Sequence, residues 1–320
     1  MDFSVPGPCP VQAQALQLTD PHRARIILLK GYVPEHAGMT ASRGLILFSH
    51  GLGGNRESGS HWLTHWASWG LAGLAIQHPG SDERVLGGSP LALRRALKTA
   101  MTPEQLGARL ADVRGVLDAL LHPQQPGHAR FPQPLLAAAQ QAVGMAGHSF
   151  GAVTVQRLAG EKISHLLFPA GFLPGDFHEP RLRAFIGLSP SARGDGGLLT
   201  SRFAGVKAPF FSITGSRDDG MGLLDLKASD RELPYRRMPG PDKYLLVLDG
   251  GVHPDFSGQP VSPEARPFRP RMPAPHLLSR IRAASTAFWF AHLLHDDVAR
   301  QWLRQDFVTT LHPADRFEWR

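Results

Sequence analysis

Short apolar runs alternate along the chain with longer stretches in which apolar residues recur every three or four positions. The runs predict strands and the periodic stretches predict helices. Leu45–Ser49 is apolar almost throughout and ends at His50-Gly51; Leu71–Gln77 ends at His78-Pro79-Gly80. Ala142–Gly147, Ala184–Leu188, Pro209–Thr214 and Tyr244–Leu248 have the same character, and Ala13–Leu18 and Arg25–Lys30 are earlier strand candidates. Runs that are apolar throughout, rather than alternating, suit strands covered on both faces. Helices are expected over Ser60–Trp69, Phe150–Glu161 and Arg280–Leu294. Another opens with Thr102 as N-cap and Pro103 at the first helical position, and runs to about Leu121 with Leu106, Leu110, Val113 and Leu117 on one face. Strand and helix in turn imply an α/β chain with a mostly parallel central sheet and helices on both faces. No repeat or domain boundary stands out. The Pro-rich stretch Pro260–Pro275 reads as a long loop, so residues 1–320 are expected to form a single domain.

Composition removes other classes. The chain has 320 residues, of which 42% are apolar by the AVILMFWYC set, enough for a core that needs no disulfide staples. Its 34 Gly and 28 Pro are roughly a fifth of the residues, below the share that marks low complexity. Cys9 is the single cysteine, so no intramolecular disulfide can form. No run approaches the roughly 18 apolar residues of a membrane span. Met1–Pro10 lacks the basic and apolar regions of a signal peptide, and the expectation is a cytoplasmic chain. Lys+Arg outnumber Asp+Glu by 34 to 27. The cations are dispersed, however, and no zinc-finger, RNP or basic-zipper pattern accompanies them, which argues against nucleic acid.

The chemistry centres on Gly147-His148-Ser149-Phe150-Gly151. A bare G-x-S-x-G is weak. Here an apolar strand leads in and a helical segment leads out, as a nucleophile elbow requires. A serine hydroxyl needs a base, and the base needs an orienting acid. Strand Pro209–Thr214 runs into Gly215-Ser216-Arg217-Asp218-Asp219, and strand Tyr244–Leu248 into Asp249-Gly250-Gly251-Val252-His253. His253 is the expected base. Asp218 or Asp219 would orient it, with Asp218 preferred because it stands three residues past the strand-ending glycine; Asp249 reads as a turn residue. Ser49-His50-Gly51-Leu52-Gly53-Gly54 follows a strand, and such a turn can aim a backbone N–H at a developing oxyanion. The expected donors are the amides of Leu52 and Phe150. His50, Gly51, His78, His148 and Met221 are candidates for the pocket wall. The glycine cluster matches neither a phosphate loop nor a dinucleotide fingerprint. His61 and His65, four apart, lack the Glu and the further ligand of a metal-binding helix, so no metal is expected.

Several longer strings point further. FSHGLGGNRE and HWASWGLAGLAIQHPGSDE, then GHSFGAVTVQRLAG, SITGSRDDGMG and YLLVLDGGVHPDF, occur in order, followed by the segment around Ala284–Trp289. Over roughly residues 40–305 the chain resembles the predicted dienelactone-hydrolase-like group of the α/β-hydrolase superfamily, relatives of the platelet-activating-factor acetylhydrolases. The resemblance implies a single α/β-hydrolase domain, a Ser149–Asp218–His253 triad and no cofactor. True dienelactone hydrolases use a Cys nucleophile, so Ser149 favours carboxylic-ester hydrolysis. The expected activity is a serine esterase acting through an acyl-enzyme on short- to medium-chain small-molecule esters. Lactone, thioester, amide or polyester hydrolysis on the same triad are the alternatives, followed by a non-catalytic binding protein of the same fold. Arg84–Met101 and Pro260–Pro275 look individual to this chain, and residues 84–101 and 254–278 are candidate lid or pocket-wall insertions.

Overall fold

The computed structural model describes residues 2–35, 42–86, 101–124, 131–163, 175–194, 196–220, 226–259 and 274–320. Among these, nine strands form one sheet in the order β1-β2-β4-β3-β5-β6-β7-β8-β9. They are β1 (Val11–Asp20), β2 (Arg25–Pro34), β3 (Leu45–Ser49), β4 (Ala72–Ile76), β5 (Val143–His148), β6 (Leu182–Leu188), β7 (Phe210–Arg217), β8 (Lys243–Val252) and β9 (Arg316–Trp319). Strands β4, β3, β5, β6, β7 and β8 are mutually parallel. The sheet is mixed at its edges, where β1 and β2 form an antiparallel hairpin on β4 and β9 runs antiparallel to β8.

Strand periodicity divides the core in two. Along β3, Ile46 and Phe48 face one layer and Leu45 and Leu47 the other, because successive side chains point to opposite faces. The first layer holds α1 (Ser60–Ser68) and the long α7 (Pro275–Leu293), with Trp62, Trp66, Phe288 and Trp289 buried against the sheet. The second holds α2 (Pro103–Leu121), α3 (Gln133–Gln141), α4 (Phe150–Leu158) and α5 (Gly196–Phe203). Helices thus cover both faces, as the apolar strand runs imply. A short helix, α6 (Leu233–Arg237), packs on β7 and β8.

Most predicted boundaries lie within a few residues of the observed ones, and the physical signals explain both matches and misses. Thr102 does cap α2, accepting a hydrogen bond from the Gln105 amide. Helix α4 ends three residues earlier than expected, with Gly160 just beyond it at φ 113°, a conformation open to glycine. Helix α7 starts at Pro275, where proline again occupies the first turn. Helices α3 and α5 and strand β9 are additional elements. They are short, and β9 is a four-residue edge strand ordered by its pairing with Tyr244–Val247 and by Phe317, which packs on the core. Residues 87–100 and 260–273, most of the two expected lid or wall segments, lie outside the described residues.

The Trp289 ring stands edge-on to Trp66 at 5.6 Å and fills the space over Gly144, where a Cβ would approach it to 2.7 Å. Trp289→Ala is expected to cost about 3–5 kcal/mol, read as a lower midpoint in urea unfolding; an unchanged midpoint would contradict this packing.

Candidate active site

The turn between β5 and α4 is built by what its neighbours exclude. Ser149 occupies φ 55°, ψ −115°, a strained combination for a residue with a side chain. Its N–H donates to the Leu188 carbonyl at 2.9 Å, and its carbonyl accepts from the Val153 N–H at 3.1 Å. A Cβ on Gly147 would lie 2.5 Å from the Gly151 carbonyl oxygen, and one on Gly151 would lie 1.9 Å from that of Ser49. Both contacts are impossible for a larger residue, so the two glycines are what lets the turn close. The Ser149 side chain is left half-buried at the C-terminal edge of the sheet, with its Oγ 2.9 Å from His253 Nε2.

His253 and Asp218 arrive from the ends of β8 and β7. These strand ends approach so closely that a Cβ on Gly215 would meet the Gly251 carbonyl at 2.2 Å. Asp218 is fully buried; its Oδ1 lies 2.7 Å from His253 Nδ1, and its Oδ2 accepts from the Thr214 hydroxyl at 2.8 Å. This arrangement sets the tautomer: Nδ1–H donates to Asp218, which leaves Nε2 to accept from the Ser149 hydroxyl. Burial alone would raise the Asp218 pKa. The hydrogen bond and charge of His253 and the nearby Arg231 outweigh it and hold the carboxyl below the ordinary aspartate value. Of the two aspartates left open by the sequence, Asp218 is the one at His253; the Asp219 side chain is exposed. Asp249 is exposed too, and accepts from the Ser216 hydroxyl at 2.9 Å.

Two buried residues at this site went unforeseen. Arg231 donates to the carbonyls of Asp218 at 3.2 Å and Ser189 at 3.0 Å, and its Nε lies 3.3 Å from Asp218 Oδ1. It pins the loop after β7 as well as countering the Asp218 charge. Thr214 shares the carboxylate, as noted. Nothing in sequence spacing marks either one, because the loop that returns Arg231 to Asp218 is set by packing.

The pocket candidates fall in several places. Gly51 passes directly beside Ser149, where a Cβ would sit 3.4 Å from Ser149 Cβ and 3.0 Å from His148 Nδ1. Leu52 follows in the turn, and the Phe150 amide is the first of α4, one of the four that a helix cannot satisfy internally. His148 donates from Nε2 to the His253 carbonyl at 3.1 Å, with the two rings 4.7 Å apart. His50 and His78 are fully buried beneath the turn rather than at a surface. The His78 N–H donates to His50 Nε2 at 2.9 Å, and His78 Nδ1 donates to Asp112 at 3.0 Å. Met221 lies outside the described residues. His61 and His65 have separate partners: His61 accepts from Arg282, and His65 donates to the Phe3 carbonyl at 3.0 Å. Among the described residues no cluster of three or more His, Cys, Asp or Glu is arranged to hold a metal, and no helix is long and apolar enough to cross a membrane.

No family model matches the chain, and no curated protein matches it. Solved structures do. The PEG-bound complex of a novel cold-adapted esterase from an Arctic intertidal metagenomic library is 18% identical, with a TM-score of 0.51 over 76% of this chain and 86% of that one. The native structure of a novel cold-adapted esterase from an Arctic intertidal metagenomic library is 17% identical, with a TM-score of 0.47 over 76% and 85%. The chain has the α/β-hydrolase fold. At such identities the likeness speaks for the fold alone.

Burial, aided by neighbouring positive charge, depresses several histidines. His61, His65, His78 and His292 are lowered to about 4, His148 to about 3, and His50 well below its ordinary value. The unfolded chain takes up protons at these residues near pH 6.5, whereas the folded chain resists until about pH 4. Between those limits unfolding binds protons, so stability falls as pH falls. The melting temperature is expected to drop by roughly 10 °C or more between pH 7 and pH 5. A scanning-fluorimetry series that stays level over that interval would contradict buried neutral imidazoles.

Proposed function

We propose that this protein is a serine hydrolase that cleaves carboxylic esters through an acyl-enzyme. The observation that carries the reading is the continuous chain from Ser149 Oγ to His253 Nε2 at 2.9 Å and from His253 Nδ1 to Asp218 Oδ1 at 2.7 Å, mounted on a strained turn. His253 takes the Ser149 proton as Oγ attacks the ester carbonyl carbon. Negative charge gathers on the former carbonyl oxygen, where the Leu52 and Phe150 amides receive it. Collapse of the tetrahedral intermediate expels the alcohol, which leaves with the proton held by His253. Water then attacks the acyl-enzyme with His253 again as base, and the acid departs from Ser149. Asp218 holds the Nδ1–H tautomer and stabilises the imidazolium. No cofactor enters these steps.

The motif strings support a place near the dienelactone-hydrolase-like group, with the serine directing the chemistry to esters. Short- to medium-chain acyl groups are the proposed substrates, and a single domain in the cytoplasm is the proposed setting. Initial rates on p-nitrophenyl esters from acetate to dodecanoate, measured for the wild type beside Ser149→Ala, test this. Turnover that peaks at short or medium chains and vanishes with Ser149→Ala is expected. No Ser149-dependent turnover at any length, together with no labelling of Ser149 by a fluorophosphonate, would overturn the reading. Asp218→Asn is expected to lower kcat about 10⁴-fold while Asp219→Asn stays near wild type; the reverse pattern would reassign the acid.

A further inference from the structure

Helix α2 buries a cation that its apolar face does not explain. Arg109 is 0% exposed, and its hydrogen-bond partners are neutral. Nε donates to the Ser81 hydroxyl at 2.8 Å, and Nη1 donates to the His50 carbonyl at 2.7 Å and the Ser49 hydroxyl at 3.3 Å. Nη2 reaches the Gly51 carbonyl at 3.4 Å, and the guanidinium stacks 4.4 Å from the centre of the Phe150 ring. The nearby Asp112 is already taken by Arg23, Arg25 and His78. Burial lowers the Arg109 pKa to about 9, against the attraction of Asp112 and Asp82, so the group is still charged at neutral pH. A buried charge without its own counter-ion is costly, and an apolar side chain would pack there at lower cost. Its partners indicate what it does.

Every backbone contact of Arg109 falls on the turn that carries Leu52. His50 reinforces it. Because His50 Nε2 accepts from the His78 N–H, its Nδ1 carries the proton and donates to the Gly51 carbonyl at 2.6 Å. The Gly54 N–H reaches the same oxygen at 3.1 Å. Donors gathered on the Gly51 oxygen fix the orientation of the planar Gly51–Leu52 peptide. Across a trans peptide the Leu52 N–H points opposite to that oxygen. The other expected donor belongs to Phe150, the residue whose ring Arg109 covers.

We infer that Arg109 is a positioning residue that orients both oxyanion donors, clamping the Gly51–Leu52 peptide from behind and bracing Phe150 at the start of α4. The inference rests on the hydrolase reading. Interactions realised in the transition state appear in kcat rather than KM, so a loosened clamp has its own kinetic signature. Arg109→Met is expected to lower kcat on p-nitrophenyl acetate about 10²–10³-fold with KM within about threefold, and Arg109→Lys is expected to recover part of the loss. The rate of Ser149 labelling by a fluorophosphonate, whose phosphoryl oxygen needs the same donors, is expected to fall in parallel. Circular dichroism checks that each variant is folded. If Arg109→Met does not fold, His50→Gln removes the Nδ1 donor and is expected to show the same split between kcat and KM. A folded Arg109→Met or His50→Gln variant with wild-type kcat and labelling rate overturns the inference alone. A wild type that neither turns over esters nor labels at Ser149 removes the hydrolase reading, and the inference with it.

Discussion

Three backbones meet around Ser149 at distances that leave no room for a side chain on Gly147 or Gly151. That crowding holds the serine at a positive φ and lifts its hydroxyl off the sheet edge. Everything else in the site is arranged about this point. The turn after β3 passes beside it because β3 and β5 are paired from Leu45–Val143 to Ser49–Gly147. Register, rather than any single contact, brings Gly51 alongside Ser149.

His253 and Asp218 are placed by a second crowding, between the ends of β7 and β8 at Gly215 and Gly251. Parallel pairing delivers both strands to the same edge of the sheet as Ser149. The loops beyond them can then be short. Asp218 lies three residues past Gly215, and His253 lies two past Gly251. Burial of a carboxylate there is made tolerable by Thr214, His253 and Arg231. Removing one of those partners would leave charge in a low-dielectric environment, which costs far more than a surface ion pair is worth.

Polar groups also fill the space beneath the glycine turn. Arg23 and Arg25 hold Asp112, Asp112 holds His78, and His78 meets both Ser49 and His50. Arg109 closes the network onto the turn itself. Such a network is directional where an apolar core is not. It specifies which way the peptide groups of the turn face.

The order of residues along the chain is enough to specify the α/β class, the six apolar runs that form the parallel strands, and the helix with Thr102 at its cap. Those features follow from local periodicity and turn chemistry, which neighbouring residues carry in full. Ser149, His253 and the Asp218–Asp219 pair could be placed at one sheet edge, because a strand end followed by glycine locates a loop there. Folding alone decided which of the adjacent aspartates faces His253, since a one-residue step reverses the direction of a side chain. It decided as well that His50 and His78 lie buried beneath the turn, and that Arg109 and Arg231, far away in sequence, close on the turn and on Asp218. Those placements depend on helix docking across the sheet and on loop paths, and no local pattern of residues encodes either.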